Sequence, residues 1–91
     1  MAKIAIVGTG YVGLTTGACL ASLGHQVVCA DIDAEKVAQL SNGKVTIFEE
    51  GLQDLVTKGL KTGNLRFVVG AVKAVIDSEY VFLCLQSMTM K

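Results

Sequence analysis

Proline is absent from this 91-residue sequence, its net charge is zero, and its apolar runs are short. Without proline no turn is stiffened by a fixed φ. No linker, internal repeat or low-complexity tract interrupts the chain either, so one domain at most is expected, burying about 60–65% of its unfolded surface. Eight basic and eight acidic residues cancel, which argues against a nucleic-acid or anionic-membrane partner. No apolar run approaches the ~18–20 residues needed to span a bilayer. A signal peptide is not expected: Lys3 precedes an apolar run, but Gly8 and Gly10 break it too early. Thr16 also stands where a lipoprotein site before Cys19 would want a large aliphatic residue. A cytoplasmic protein is expected.

Cysteine is scarce as well. Cys19, Cys29 and Cys84 are odd in number and show no C-x-x-C spacing. Each lies in an apolar segment, so small buried hydrophobes in a reducing compartment are expected, not metal ligands, disulfides or nucleophiles. The single histidine, His25, has no carboxylate or nucleophile close in sequence and is expected to be a surface turn residue, not a base. Neither catalytic residues nor a metal site are expected in this chain.

The organising stretch is Gly8-Thr9-Gly10-Tyr11-Val12-Gly13, which follows the apolar run Ile4-Ala5-Ile6-Val7 and leads into a helical segment. The first glycine allows a sharp turn out of a buried strand, the second a close approach of backbone to a pyrophosphate, and the third close packing of helix on strand. The helix start then directs free N–H groups and partial positive charge at an anion. Bare G-x-G-x-x-G is a weak signal, and a glycine-rich turn that binds nothing is the alternative. Here a strand precedes it, a helix follows, and Asp31 lies 18 positions after Gly13, close to the ~20 expected of an acid on the adenosine ribose. Its charge would repel a 2′-phosphate, which favours NAD over NADP.

Along the chain, Lys3 to Val7 reads as a strand buried on both faces. Tyr11 to Leu23 is a helix that stacks Gly13, Gly17 and Ala21 on one face, able to lie close to a sheet, with Gly24 as its stop. Gln26 to Ala30 is the second strand, ended by Asp31. Asp33 caps a helix from Ala34 to Leu40, closed by Asn42-Gly43. Lys36, one turn in, is within reach of the ribose; a solvated lysine is the equal alternative. Lys44 to Gly51 is a loop, and Leu52, Leu55, Val56 and Leu60 mark one face of a helix. After the Gly63-Asn64 turn come a strand from Leu65 to Val69, a brief helical face of Val72, Val75 and Ile76, and a strand from Tyr80 to Leu85. The tail Gln86 to Lys91 emerges at the carboxyl end of that strand, beside the cofactor crevice.

This order predicts an α/β fold: a partial Rossmann fold with a parallel sheet of about four strands, ordered 3-2-1-4, and helices on both faces. Residues 1–91 form the N-terminal part of a dinucleotide-binding domain that needs further strands. The fourth strand would be an open apolar edge, which favours association or partial disorder, so a homo-oligomer is expected.

Lys3 to Leu14, Gly17-Ala18-Cys19-Leu20-Ala21, Leu23-Gly24-His25 and Asp31-Ile32-Asp33 with Lys36-Val37 resemble the N-terminal region of the nucleotide-sugar 6-dehydrogenases, over essentially the whole chain. The resemblance implies a parent enzyme that oxidises the C6 hydroxyl of a UDP-sugar (UDP-glucose to UDP-glucuronate) in two steps, with NAD as hydride acceptor. It implies that Gly8, Thr9, Gly10, Tyr11, Val12 and Gly13 bind the pyrophosphate, and that Asp31 and Lys36 hold the ribose. Ser87 stands at the family's Thr-Pro position near the cofactor. The family's Pro-Ile-x-Glu-Pro-Gly-Leu is Thr46-Ile47-Phe48-Glu49-Glu50-Gly51-Leu52 here, and its Thr-Pro is Ser87-Met88, so turns that proline would stiffen are looser. Nothing matches the family's catalytic cysteine motif, so the substrate and catalytic domain is absent and the fragment alone should not turn over. Two other readings remain at this point: a regulatory nucleotide-binding module without catalysis, and a related NAD-dependent hydroxyacid or hydroxyacyl-CoA dehydrogenase.

Overall fold

A computed structural model describes residues 2–45 and 50–84. The elements run β1 (Lys3–Val7), α1 (Tyr11–Ser22), β2 (Gln26–Asp31), α2 (Ala34–Ser41), α3 (Leu52–Thr62), β3 (Leu65–Val69), α4 (Ala71–Val75) and β4 (Tyr80–Leu83). All strand pairs are parallel, in the order β3-β2-β1-β4. The expected fold class and strand order are therefore observed, with element ends shifted by a residue or so: Asp31 is the last residue of β2, and α1 stops at Ser22. Leu85 and the tail including Ser87 lie outside the described residues, as do 46–49 of the loop.

Alternation along the central strands decides which helices cover which face. Ile4 and Ile6 of β1, Val27 and Cys29 of β2, and Leu65 and Phe67 of β3 join Leu14, Ala18 and Ala21 of α1, Val37 and Leu40 of α2, and Leu52 and Val56 of α3 in one core. Among the described residues, the intervening Ala5 and Ala30 form a second, small cluster with Ala74 of α4, with Val28 and Val68 partly buried around them. Small residues set the separation on the covered face. A Cβ on Gly17 would come within 2.7 Å of Cys29 Sγ, and one on Gly59 within 2.7 Å of Leu65 Cβ, so both helices sit closer than any side chain would allow.

Three expectations need correction. Of the cysteines only Cys29 is fully buried; Cys19 is exposed and Cys84 half-buried. Cys19 follows Gly17 by two positions, about 200° around the helix, so it faces away from the sheet. Burial, with Cys84 adding to it, pushes the Cys29 thiol up to about 12, and it stays protonated and inert. In α4 it is Ala74 that docks, while Val72 and Ile76, the residue after the helix, are each 71% exposed. A five-residue helix resting on Ala5 and Ala30 needs a small contact residue more than an apolar stripe. His25, finally, is half-buried and structural: its Nδ1 accepts from the Ala2 amide at 3.1 Å, tying the chain start to the α1–β2 turn.

Candidate functional site

The loop after β1 gives its glycines different tasks. Gly8 leaves the strand at φ 105°, a value open to glycine, and its amide donates to the Ala30 carbonyl at 2.8 Å, holding the loop against the end of β2. Gly10 caps α1 with extended backbone and no side-chain hydrogen bond. Its carbonyl accepts the first helical bond, from the Leu14 amide at 2.9 Å. A Cβ on Gly10 would meet nothing within 4 Å, whereas one on Gly13 would collide with the Gly8 carbonyl oxygen and lie 3.1 Å from Cys84 Cβ. Gly10 thus borders open space and Gly13 is locked under the loop. The uncapped mouth of α1 faces that space with the partial positive charge of a helix start.

Asp31 stands across the opening at the tip of β2. Its Oδ2 accepts from the Thr9 amide at 3.1 Å and from the Thr9 hydroxyl at 2.5 Å, and its Oδ1 accepts from the Asp33 amide at 3.0 Å. Partial burial alone would raise the carboxyl. The Thr9 hydroxyl, the Asp33 and Thr9 amides and the Lys36 charge outweigh it, holding Asp31 below its ordinary value. It is therefore an anion at neutral pH, and it is turned towards the loop, not to bulk water. Lys36 Nζ lies 3.9 Å from Oδ2; the lysine is placed there because Asp33 caps α2, its Oδ1 accepting from the Glu35 and Lys36 amides at 3.0 and 3.2 Å.

Gly8, Thr9, Gly10, Asp31 and Lys36 surround one cavity of about 320 Å³ at the carboxyl ends of the strands, where ligands of open α/β sheets bind. Gly13 supports the cradle from beneath. Tyr11 and Val12 project outward from the first turn of α1, 51% and 62% exposed, and are not among the cavity walls. Ser87 lies outside the described residues. Ile32, Ala71 and Cys84 also line the cavity and were not anticipated. For Ala71 a signal existed: it follows the carboxyl end of β3 across Gly70. The open position at Gly10, the uncapped helix mouth and the fixed carboxylate together fit the diphosphate and ribose of a dinucleotide. Among the described residues no group of three or more His, Cys, Asp or Glu could hold a metal ion, and no helix is long and apolar enough to cross a membrane.

The profile of the UDP-glucose/GDP-mannose dehydrogenase family, NAD binding domain, matches residues 2–89. The chain belongs to this family. The UDP-glucose 6-dehydrogenase TuaD of Bacillus subtilis strain 168 is 45% identical over 83 residues, covering 91% of this chain and 18% of that protein. The GDP-mannose 6-dehydrogenase of Azotobacter vinelandii is 43% identical over 82 residues, covering 90% and 19%. Among solved structures, the ternary complex of GDP-mannose dehydrogenase from Pseudomonas aeruginosa superposes with a TM-score of 0.92 at 37% identity, covering 98% of this chain and 20% of that one. The chain thus spans about a fifth of the length of these relatives. The part of the family it matches is the NAD binding domain, and NAD is its cofactor. Membership disfavours both a regulatory module without catalysis and a hydroxyacid or hydroxyacyl-CoA dehydrogenase.

Proposed function

We propose that this chain holds NAD for an enzyme that oxidises the C6 hydroxyl of a UDP-sugar, UDP-glucose to UDP-glucuronate, to a carboxylate. When bound, NAD supplies the hydride acceptor. The chain's own contribution is positional. The uncapped mouth of α1 receives the diphosphate, Gly10 leaves the path clear, and the Asp31 carboxylate accepts from the adenosine ribose with Lys36 beside it. Ser87 is assigned to the same site by its place in the family pattern. The substrate pocket and the residues that abstract protons or form covalent intermediates are assigned to a further domain, with residues 1–91 as the N-terminal part of the dinucleotide-binding one. The parent is proposed to be a cytoplasmic homo-oligomer with no nucleic-acid or membrane partner; the family relationship supports the UDP-sugar as its substrate.

The observation that carries the NAD assignment is the pairing across the cavity of an open Cβ position at Gly10 with an anionic Asp31. A carboxylate in that place repels a 2′-phosphate and accepts from a 2′-hydroxyl. Calorimetry of the purified chain with NAD, NADP and UDP-glucose in turn tests it. NAD alone is expected to bind; equal affinity for NADP would remove Asp31 from the ribose site.

A further inference from the structure

Thr9 lies between the two glycines of the cradle, yet it has no accessible surface and is the buried polar residue of the described core. Its hydroxyl and its amide both donate to the same atom, Asp31 Oδ2, 22 positions away. We propose that Thr9 is a positioning residue that acts on NAD only through Asp31, bolting the ribose-binding acid of β2 to the phosphate loop of β1. This rests on the assignment of Asp31 to the ribose made above. An ionised carboxylate has about four acceptor positions. Thr9 fills two on Oδ2, with Lys36 Nζ 3.9 Å from the same atom, and the Asp33 amide fills one on Oδ1, so the described residues leave one, on Oδ1. Rotating the acid away would break three hydrogen bonds and strand a fully buried hydroxyl, which makes the observed rotamer the only comfortable one. The result is a carboxylate oriented before the ligand arrives, with less side-chain ordering left to pay for on binding.

Valine keeps the shape of threonine and deletes the hydroxyl; serine keeps the hydroxyl. In the 91-residue chain, Thr9→Val is expected to weaken NAD by about tenfold and Thr9→Ser by less than about threefold. By NMR the Asp31 carboxyl should titrate at higher pH in Thr9→Val than in the parent, and near the parent in Thr9→Ser. In an Asp31→Ala background, where no acceptor is left for Thr9 to hold, Thr9→Val should change affinity less than about twofold, because its route to the ligand is gone. Thr9→Ala is carried alongside, so the comparison survives if the valine variant does not fold by circular dichroism. Unchanged affinity in Thr9→Val or Thr9→Ala, with Asp31→Ala still weakened, overturns the positioning role. So does an equal loss from Thr9→Val with and without Asp31, which would mean a contact of its own. If Asp31→Ala itself binds NAD like the parent, it is the ribose assignment that falls first.

Discussion

On one face of the sheet Ile4, Ile6, Val27, Cys29, Leu65 and Phe67 are covered by three helices, while on the other Ala5 and Ala30 meet a single alanine of the five-residue α4. The same asymmetry runs across the sheet. β2, in the interior, is buried or half-buried except at Gln26, whereas β4 at the edge is exposed at every position, from 42% at Val81 to 72% at Leu83. Apolar area removed from water stabilises at about 25 cal/mol per Å², so the α1–α3 side carries most of the fold's stability. The candidate site's loop and acid are built on that side, while Ala71 of α4 and Cys84 beyond β4 complete its cavity. Its loop joins β1 to α1, its acid ends β2, and both are held by packing in which β4 has little part. Placement of the cofactor groups should therefore tolerate damage at the β4 edge and not damage under α1.

The sharpest way to break this comparison uses two glycines three positions apart. Gly13→Val drives a side chain into the Gly8 carbonyl, a backbone atom that cannot swing aside, and is expected to destabilise the chain by about 3 kcal/mol or more, enough to unfold much of it. Gly10→Val meets open space and has an extended backbone that valine accepts. It should leave urea unfolding nearly unchanged and abolish NAD binding, because the new side chain fills the pyrophosphate path. Equal loss of folding in both variants, or NAD binding retained by Gly10→Val, would show that the mouth of α1 is not the open side of the site.

The next effect separates affinity from stability at the seam between the two regions. Asp31→Ala is expected to weaken NAD by about 1–3 kcal/mol, since it removes a charged acceptor from the ribose. Titrations that superimpose on those of the parent would remove the carboxylate from the site.

What could be read from the residues alone was local. The cradle, the cap at Asp33 and the acid at Asp31 each depend on a few neighbours in sequence and a fixed spacing, and the 3-2-1-4 order follows from crossover connections. What could not be read depends on which face a side chain meets after the elements dock. Cys19 and Cys29 sit in equally apolar segments, yet one is outside a helix and the other under it. Val72 and Ile76 look like a core stripe and are bare, because the face of α4 that meets the sheet is the one that carries Ala74. The bond from Thr9 to Asp31 was invisible for the same reason: parallel pairing sets Val7 of β1 opposite Ala30 of β2 and the Gly8 amide bonds the Ala30 carbonyl, which brings Thr9, two residues past Val7, beside Asp31, one past Ala30.

A smaller effect is expected at the open edge. Phe82→Ala removes a large ring, but one that is 43% exposed. Its cost should be under about 1 kcal/mol, against about 2–5 kcal/mol for Leu14→Ala on the covered face. Chemical denaturation of the two variants checks the difference. A Phe82→Ala loss as large as that of Leu14→Ala would mean that β4 is part of the stabilising core.

The smallest and most selective effect comes from acid. Among the described residues no carboxylate is buried on the covered face, so acid does not titrate a group in that packing, whereas it does titrate Asp31. Its folded-state value is held below the ordinary 3.8, which means the folded chain favours the ionised form. The stabilisation this provides is complete above the unfolded value and is lost as pH falls from about 3.9 through the lower folded one. Asp31→Asn keeps the side chain's shape and cannot titrate. Urea unfolding of parent and variant should therefore differ by a constant amount from neutral pH to about pH 5, and the gap should narrow as pH falls below about 4. A gap that widens in acid would place the folded value above the unfolded one, which would require the Thr9 and Asp33 donors to have released the carboxylate.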